Sequence, residues 1–183
     1  MPHLGSWEWS AFWLTRVRHV PVTAVVERIE PPALFDWFVE FRNGIGMEIV
    51  PLGADAGRTI VAAVRKLHVI ALLCDRDIGR SGAEVTFLGE KTTLPSGPAV
   101  LALRTGAPLL PTACYDQGRN HHGVICPPIP VERQGSFRQD VARITQAIAD
   151  ALEGLIRRAP EQWHLLQPNW PSDFAAQARP VRL

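Results

Sequence analysis

The sequence predicts an α/β fold in which a central, mostly parallel mixed sheet is flanked by helices. Strand-like and helix-like segments alternate along the first half of the chain, the order found when helices connect parallel strands. Residues 69–74 are almost wholly apolar, as in a strand buried on both faces. A long helix is predicted after Ser136, because apolar residues recur there every three or four positions.

Each element predicted in the first half has a local signal. Aromatic residues at helical spacing mark the first helix, and Pro31-Pro32 can open the second. Asp55 is placed to cap the third. The predicted helices cover residues 7–18, 31–44 and 55–67, and the predicted strands cover residues 22–27, 47–52 and 69–74.

The second half begins with a polar, glycine-containing loop at 75–83, at the end of a strand, where α/β folds usually place ligand sites. Ser136 and Gln139 have the form of a capping box that opens the long helix. The remaining elements are a strand at 84–88, a helix at 95–105 stopped by Gly106, a strand at 109–115 paired as a hairpin with 123–126, and the long helix at 136–158.

Composition narrows the class of protein. The chain has 183 residues, 46% of them hydrophobic and 20% charged, which predicts a single domain over residues 1–173 and a disordered tail over 174–183. A net charge of +1 with scattered basic residues argues against a nucleic-acid partner.

Cys74, Cys114 and Cys126 lack metal-site spacing and are predicted to be reduced core residues of a cytosolic protein. Without an apolar run of about 18 residues, membrane contact is predicted to be peripheral.

A histidine and a glutamate near the start form the first candidate site. A neutral His3 can take a proton from an attacking hydroxyl, and a carboxylate from Glu8 can orient its ring. On a continuous helix the two side chains would lie roughly 140° apart, at about 100° per residue, and could not touch. The pair therefore requires a turn at Gly5 and a helix capped by Ser6.

Five sequence blocks make this proposal more specific. They are HLGSWE at 3–8, VTFLGE at 85–90, SGPAVLA at 96–102, TGAPLLP at 105–111 and APEQWH at 159–164. In this order they resemble the bacterial lysophospholipid acyltransferase-like superfamily, in the branch of lipid A acyltransferases and phosphatidylinositol mannoside acyltransferases. The resemblance extends from His3 to about Asp173, and the run CDRD at 74–77 looks most like the mannoside enzymes.

The resemblance implies a glycerolipid acyltransferase-like fold and transfer of a fatty acyl group from acyl-CoA to a mannose hydroxyl of a membrane glycolipid, at the cytoplasmic face of the plasma membrane. His3 would be the general base and Glu8 its orienting acid. Acyl-CoA is then a co-substrate, and no metal or redox cofactor is expected. Two alternatives are a lipid A-type acyltransferase with another acceptor or an acyl-carrier-protein donor, and an inactive lipid-binding fragment. The family usually has roughly a hundred residues before the histidine, about one small domain, so the chain is expected to be truncated at its N-terminus.

The resemblance also implies the residues that bind substrate. Arg42 looks like the family arginine that contacts the acceptor or the donor phosphates, and Glu27 like the acid that holds acceptor hydroxyls. Arg76 and Arg80 could contact CoA phosphates, but we favour the alternative that they form solvated ion pairs within their loop. The other expected contacts are Glu84, Gly89, Glu90, Gly97 and Pro98.

Two further groups of residues have alternative interpretations. Trp7, Trp9 and Trp13 could contact a membrane interface or an acyl chain, or could simply pack in the core. His121 and His122 are adjacent, so strand geometry would point them to opposite faces, and a surface hairpin explains them better than a metal site.

Overall fold

The computed structural model describes residues 1–177 and has a mixed α/β architecture. The helices are α1 (Trp7–Phe12), α2 (Pro32–Gly44), α3 (Ala56–Arg65), α4 (Gly97–Thr105), α5 (Phe137–Ile156) and α6 (Pro171–Gln177). The strands are β1 (Val22–Val26), β2 (Met47–Pro51), β3 (Val69–Ala71), β4 (Ala83–Phe87), β5 (Glu90–Leu94), β6 (Thr112–Gln117) and β7 (Asn120–Ile125). A π-helical segment, Trp13–Val17, follows α1, and a 3₁₀ turn spans Pro160–Gln162. The predicted α/β class is confirmed.

The described chain divides into two compact units. The first unit comprises Met1–Gly5, Cys74–Ala113 and the chain from Val124 onward. The second comprises Ser6–Leu73 and Cys114–Gly123. That residues 1–173 form one domain stays a prediction.

The second unit is built on a parallel three-stranded sheet in the order β2-β1-β3. In the central strand, Val22, Ala24 and Val26 are buried, while α2 packs on β2 and α3 packs mainly on β2 and β3. The predicted parallel pairing of these three strands is confirmed. The third strand is shorter than the predicted 69–74, and its first residue, Val69, is exposed at the edge of this sheet, so the prediction of a strand buried on both faces is wrong there.

The first unit contains the antiparallel hairpin β4–β5. Phe87 pairs with Glu90, and the two residues between them, Leu88 and Gly89, both have positive φ, as in the mirror-image turns that suit hairpins. A side chain at Gly82 would meet the Leu94 carbonyl oxygen at 2.0 Å, so only glycine fits at the start of this hairpin. The sequence pattern predicts β4 but not β5.

Helix α5 covers one side of this hairpin. Ser136 and Gln139 form the predicted capping box, and Ile144, Ile148 and Leu152 are buried on the predicted apolar face. The Gln146 side-chain amide donates to the Thr86 carbonyl and accepts from the Thr86 amide, which satisfies the free edge of β4. The helix predicted at 95–105 is also confirmed, since it ends at Gly106 in a left-handed conformation.

The C-terminal segment is more ordered than the sequence suggests. Glu90 accepts hydrogen bonds from both the backbone and the hydroxyl of Ser172 in the first turn of α6. Asp173 accepts from the backbone amides of Asn169 and Trp170. These contacts hold α6 in place, so the prediction of a disordered tail from Phe174 is wrong for residues 174–177. Residues 178–183 of the predicted tail lie outside the described residues.

Within residues 1–177 no helix is both long enough and apolar enough to cross a bilayer. The three cysteines are free, with Cys74 and Cys114 buried and Cys126 partly exposed.

Candidate active site

A histidine–aspartate pair lies in the first unit. His3 Nδ1 is 2.7 Å from Asp75 Oδ1, and the His3 backbone amide donates to Asp75 Oδ2 at 2.8 Å. Asp75 is the first residue after the apolar run 69–74, and its side chain has no solvent exposure, whereas the His3 side chain is 33% exposed. A buried acid therefore holds a histidine whose side chain is partly exposed to solvent.

The C-terminal segment completes the surroundings of Asp75. The Trp163 indole Nε1–H donates to Asp75 Oδ2 at 2.8 Å, and Asn169 Nδ2 donates to the Asp75 backbone carbonyl at 3.2 Å. Burial by itself would raise the pKa of Asp75, but the hydrogen bonds and charge of His3 and the hydrogen bond from Trp163 outweigh it. The net result is a pKa below the usual aspartate value, so the carboxylate stays ionised near neutral pH.

Backbone pairing fixes the position of His3. Leu4 forms an antiparallel bridge with Trp163, the His164 amide donates to the His3 carbonyl at 2.8 Å, and the Gly5 amide donates to the Gln162 carbonyl at 2.9 Å. Leu4 is fully buried. The backbone of His3 is therefore held by a short antiparallel pairing between residues 3–5 and residues 162–164.

This arrangement determines which ring nitrogen can act as a base. An ionised carboxylate only accepts hydrogen bonds, so a neutral His3 must carry its proton on Nδ1. The lone pair is then on Nε2, which can take a proton from a hydroxyl group. The carboxylate also stabilises the imidazolium formed by that transfer, as in the triads of acyl-transfer enzymes.

Comparison with known proteins agrees with this chemistry. Residues 1–172 match the bacterial lipid A biosynthesis acyltransferase family. The chain belongs to this family. The match covers nearly all of the described residues and confirms the resemblance found in the five sequence blocks.

Two curated proteins are similar to this chain over almost its whole length. A phosphatidylinositol mannoside acyltransferase of Mycobacterium tuberculosis (strain CDC 1551 / Oshkosh) is 38% identical over 182 residues, covering 98% of this chain and 56% of that protein. The protein of the same name from Mycolicibacterium smegmatis is also 38% identical, covering 98% of this chain and 58% of its own length. The chain therefore spans somewhat more than half the length of these relatives.

The acid that contacts His3 is not the one predicted. Asp75, rather than Glu8, supplies the carboxylate on His3 Nδ1. Glu8 lies in the first turn of α1 and accepts a hydrogen bond from Arg42 Nη2 at 3.0 Å. The prediction that Glu8 orients His3 is wrong, because His3 Nδ1 is already hydrogen-bonded to Asp75, and Glu8 pairs with an arginine from α2 instead.

Arg42 is held in an aromatic and acidic environment within the second unit. Its guanidinium carbon lies 5.0 Å from the ring centroid of Trp7 and 5.1 Å from that of Phe38, in cation–π geometry. Its side chain is only 17% exposed, and its Nε has no hydrogen-bond partner among the described residues. A direct contact between Arg42 and a substrate phosphate stays a prediction.

Two predicted substrate ligands follow strands. Glu27 comes directly after β1, at the carboxyl end of the parallel sheet, and is partly buried. Arg76 follows Asp75 and is also partly buried. Their roles stay predictions, and both positions are typical of ligand-binding residues in α/β proteins.

The remaining predicted ligands lie around the β4–β5 hairpin and the start of α4. Glu84 is exposed and lies 3.7 Å from Lys91, a pairing typical of a solvated surface. Both Glu90 oxygens are occupied by Ser172, so this carboxylate caps α6 rather than standing free for an acceptor hydroxyl. Gly89 is needed for its turn conformation.

Gly97 and Pro98 form the first turn of α4. Pro98 is buried, whereas a side chain at Gly97 would meet no atom of the chain within 4 Å. Close approach of a substrate to this turn stays a prediction. Among residues 1–177, no group of three or more His, Cys, Asp or Glu side chains is placed to hold a metal ion.

The residues that sequence reasoning missed are Asp75, Trp163 and Asn169. The available signal for Asp75 was its position immediately after a wholly apolar run, in the loop already considered a ligand site. Trp163 lies in a recognised sequence block, but nothing local indicates that its indole reaches an acid 88 residues away.

Proposed function

We propose that the chain transfers a fatty acyl group from acyl-CoA to a mannose hydroxyl of a phosphatidylinositol mannoside-type glycolipid. The observation on which this rests is the 2.7 Å contact between the partly exposed His3 and the buried Asp75. Membership of the acyltransferase family supports the reaction class, and the names of the relatives support the acceptor.

In the proposed reaction, His3 Nε2 removes the hydroxyl proton of the acceptor as its oxygen attacks the thioester carbonyl. Asp75 stabilises the resulting imidazolium. When the tetrahedral intermediate collapses, the carbon–sulfur bond breaks and the imidazolium returns the proton to the departing thiolate. The products are an ester and the free thiol of CoA, and His3 is neutral again.

Matched donor and acceptor assays test this proposal. The purified chain is incubated with radiolabelled palmitoyl-CoA or palmitoyl-acyl-carrier protein, and with either a phosphatidylinositol mannoside or a lipid A precursor. We expect ester formation with acyl-CoA and the mannoside. Turnover only with the lipid A precursor or the carrier protein would favour the second acceptor or donor class. No turnover in any of the four combinations would contradict the enzyme proposal.

A glycolipid substrate implies contact with a membrane surface, and the second unit has a face suited to it. Trp9, Trp13 and Val17 are about half exposed and lie four residues apart along α1 and the π-helical segment. Arg16 and Arg18 are exposed beside them, and Arg18 lies 5.3 Å from the Trp13 ring centroid. Exposed tryptophans flanked by arginines are typical of helices that bind the interface of anionic bilayers.

We predict that this face binds anionic vesicles, consistent with peripheral attachment to the cytoplasmic leaflet. In a sedimentation assay, the chain should bind phosphatidylglycerol vesicles more tightly than phosphatidylcholine vesicles. Arg18→Gln should weaken binding about fivefold, because one basic residue near an anionic surface contributes about 1 kcal/mol.

A matched exposed tryptophan serves as the control. Trp37 on α2 is 56% exposed but lies beside Asp36 and Glu40. Trp13→Ala should therefore weaken vesicle binding, whereas Trp37→Ala should not. Equal effects of the two substitutions would show that the Trp9–Trp13–Val17 face has no special affinity for the bilayer.

A further inference from the structure

A tryptophan of the C-terminal segment contacts the proposed catalytic pair at its acid. Two donors converge on Asp75 Oδ2, the His3 backbone amide and the Trp163 indole, each at 2.8 Å. The other oxygen, Oδ1, is left for the His3 ring. The two donors fix the plane of the carboxylate, so its orientation toward the imidazole depends on both of them.

The indole is itself held rigidly. Its ring packs edge-on against Phe87 and against Trp170, with centroid separations of 6.1 Å in both cases. Phe87 is fully buried, and the backbone on either side of Trp163 pairs with the backbone around Leu4. These aromatic contacts and the backbone pairing fix the direction in which the Trp163 N–H points.

The Asp75 backbone is fixed from the same segment. Asn169 is buried, and its side-chain amide donates a hydrogen bond to the Asp75 backbone carbonyl. The backbone carbonyl of Asn169 accepts a hydrogen bond from the Thr92 hydroxyl. The carboxylate and the main chain of Asp75 are thus both held by residues of the C-terminal segment. A fully buried carboxylate needs such donors, because burial removes its hydrogen bonds to water and an unreplaced hydrogen bond is destabilising.

We propose that Trp163 is a positioning residue, which holds the Asp75 carboxylate so that His3 carries its proton on Nδ1 and keeps Nε2 as the base. This inference rests on the proposed catalytic role of His3. It gives the C-terminal segment a part in the chemistry, since loss of the indole donor frees the carboxylate to rotate about its bond to Cβ. The hydrogen bond from His3 Nδ1 to Asp75 would then be less well aligned, and the carboxylate would favour the Nδ1–H tautomer less strongly.

Trp163→Phe tests the proposal, because phenylalanine keeps an aromatic ring in the cluster and removes only the N–H donor. Long-range ¹H–¹⁵N correlation spectra of the free chain report the tautomer of neutral His3 without any need for turnover. We expect the Nδ1–H tautomer to dominate in the wild type and to lose population in Trp163→Phe. In assays, kcat should fall roughly 10- to 100-fold with little change in KM, as for other lost hydrogen bonds to a charged group.

Trp170→Phe is the matched control. Trp170 belongs to the same aromatic cluster, stacking on Phe87, but its indole donates to the Phe87 backbone carbonyl at 3.0 Å. This variant should lose stability yet keep the His3 tautomer and kcat of the wild type. If both variants change the tautomer equally, or if Trp163→Phe lowers only the melting temperature, Trp163 has a packing role alone and the proposal is overturned.

A wild-type measurement covers the case in which Trp163→Phe does not fold. The Trp163 indole N–H proton should resonate downfield and exchange slowly with solvent, because it donates to a buried carboxylate. An indole proton that exchanges as fast as that of an exposed tryptophan overturns the positioning role. If Trp163→Phe changes the His3 tautomer but the wild type transfers no acyl group, the proposed function is contradicted and the positioning role is not. Failure of the proposed function and failure of the positioning role can therefore be told apart.

Discussion

Replacing His3 with alanine is expected to lower kcat for acyl transfer by about 10²- to 10⁴-fold, the contribution that a positioned general base usually makes. The substitution removes the imidazole that would accept the hydroxyl proton, while the backbone hydrogen bonds of residue 3 to Asp75 and His164 can persist. Steady-state assays with the acyl-CoA and mannoside pairing measure the effect. The melting temperature should fall, because the buried Asp75 carboxylate loses its imidazole partner, so a circular dichroism spectrum at the assay temperature is needed to show that the variant is folded.

His122→Ala provides the matched control for this experiment, since His122 is an exposed histidine of β7. It should retain wild-type kcat. Added imidazole should restore part of the activity of His3→Ala by entering the vacated space and acting as the base. Full activity of His3→Ala would remove His3 from the mechanism, and the proposed reaction would then need another base.

Elements whose stabilising contacts are local could be predicted from the sequence. The capping box at Ser136 and Gln139 and the apolar repeat that follows define α5 within its own residues. The alternation of apolar strands with helices likewise predicted the parallel sheet of β1, β2 and β3, because helical crossovers suit parallel pairing. Strand β5 escaped prediction because Glu90–Leu94 is short and polar, and the Leu88-Gly89 turn lacks the usual Asn-Gly or Asp-Gly signal.

The site shows why sequence spacing was misleading. Glu8 follows His3 by five positions, but its carboxylate is bound to Arg42, 34 residues away. The acid on His3 is instead Asp75, 72 residues further along the chain, brought there by the tertiary fold. The histidine itself could be predicted because it belongs to a recognised block, whereas its partners Asp75 and Trp163 depend on contacts that no local pattern specifies.

Asp75→Asn should lower kcat by about 10³- to 10⁴-fold while leaving the size and shape of the side chain nearly unchanged. The amide can still accept from Trp163 and from the His3 backbone with its oxygen, so its NH₂ group faces His3 Nδ1. Because NH₂ is a donor, it forces the proton of neutral His3 onto Nε2 and removes the base. Steady-state assays measure kcat, and the tautomer of His3 in NMR spectra measures the cause.

Acid titration of stability separates this electrostatic role from packing. The folded-state pKa of Asp75 is lowered, so its ionised form stabilises the fold at pH values above the unfolded pKa of about 3.9. That contribution is lost as pH falls through the lower, folded-state pKa. In urea unfolding, wild type should therefore exceed Asp75→Asn in stability at pH 5, and the margin should shrink below about pH 4. A margin that is unchanged by acid would mean that the charge of the carboxylate does not contribute to stability, and the ionic account of the His3–Asp75 pair would fail with it.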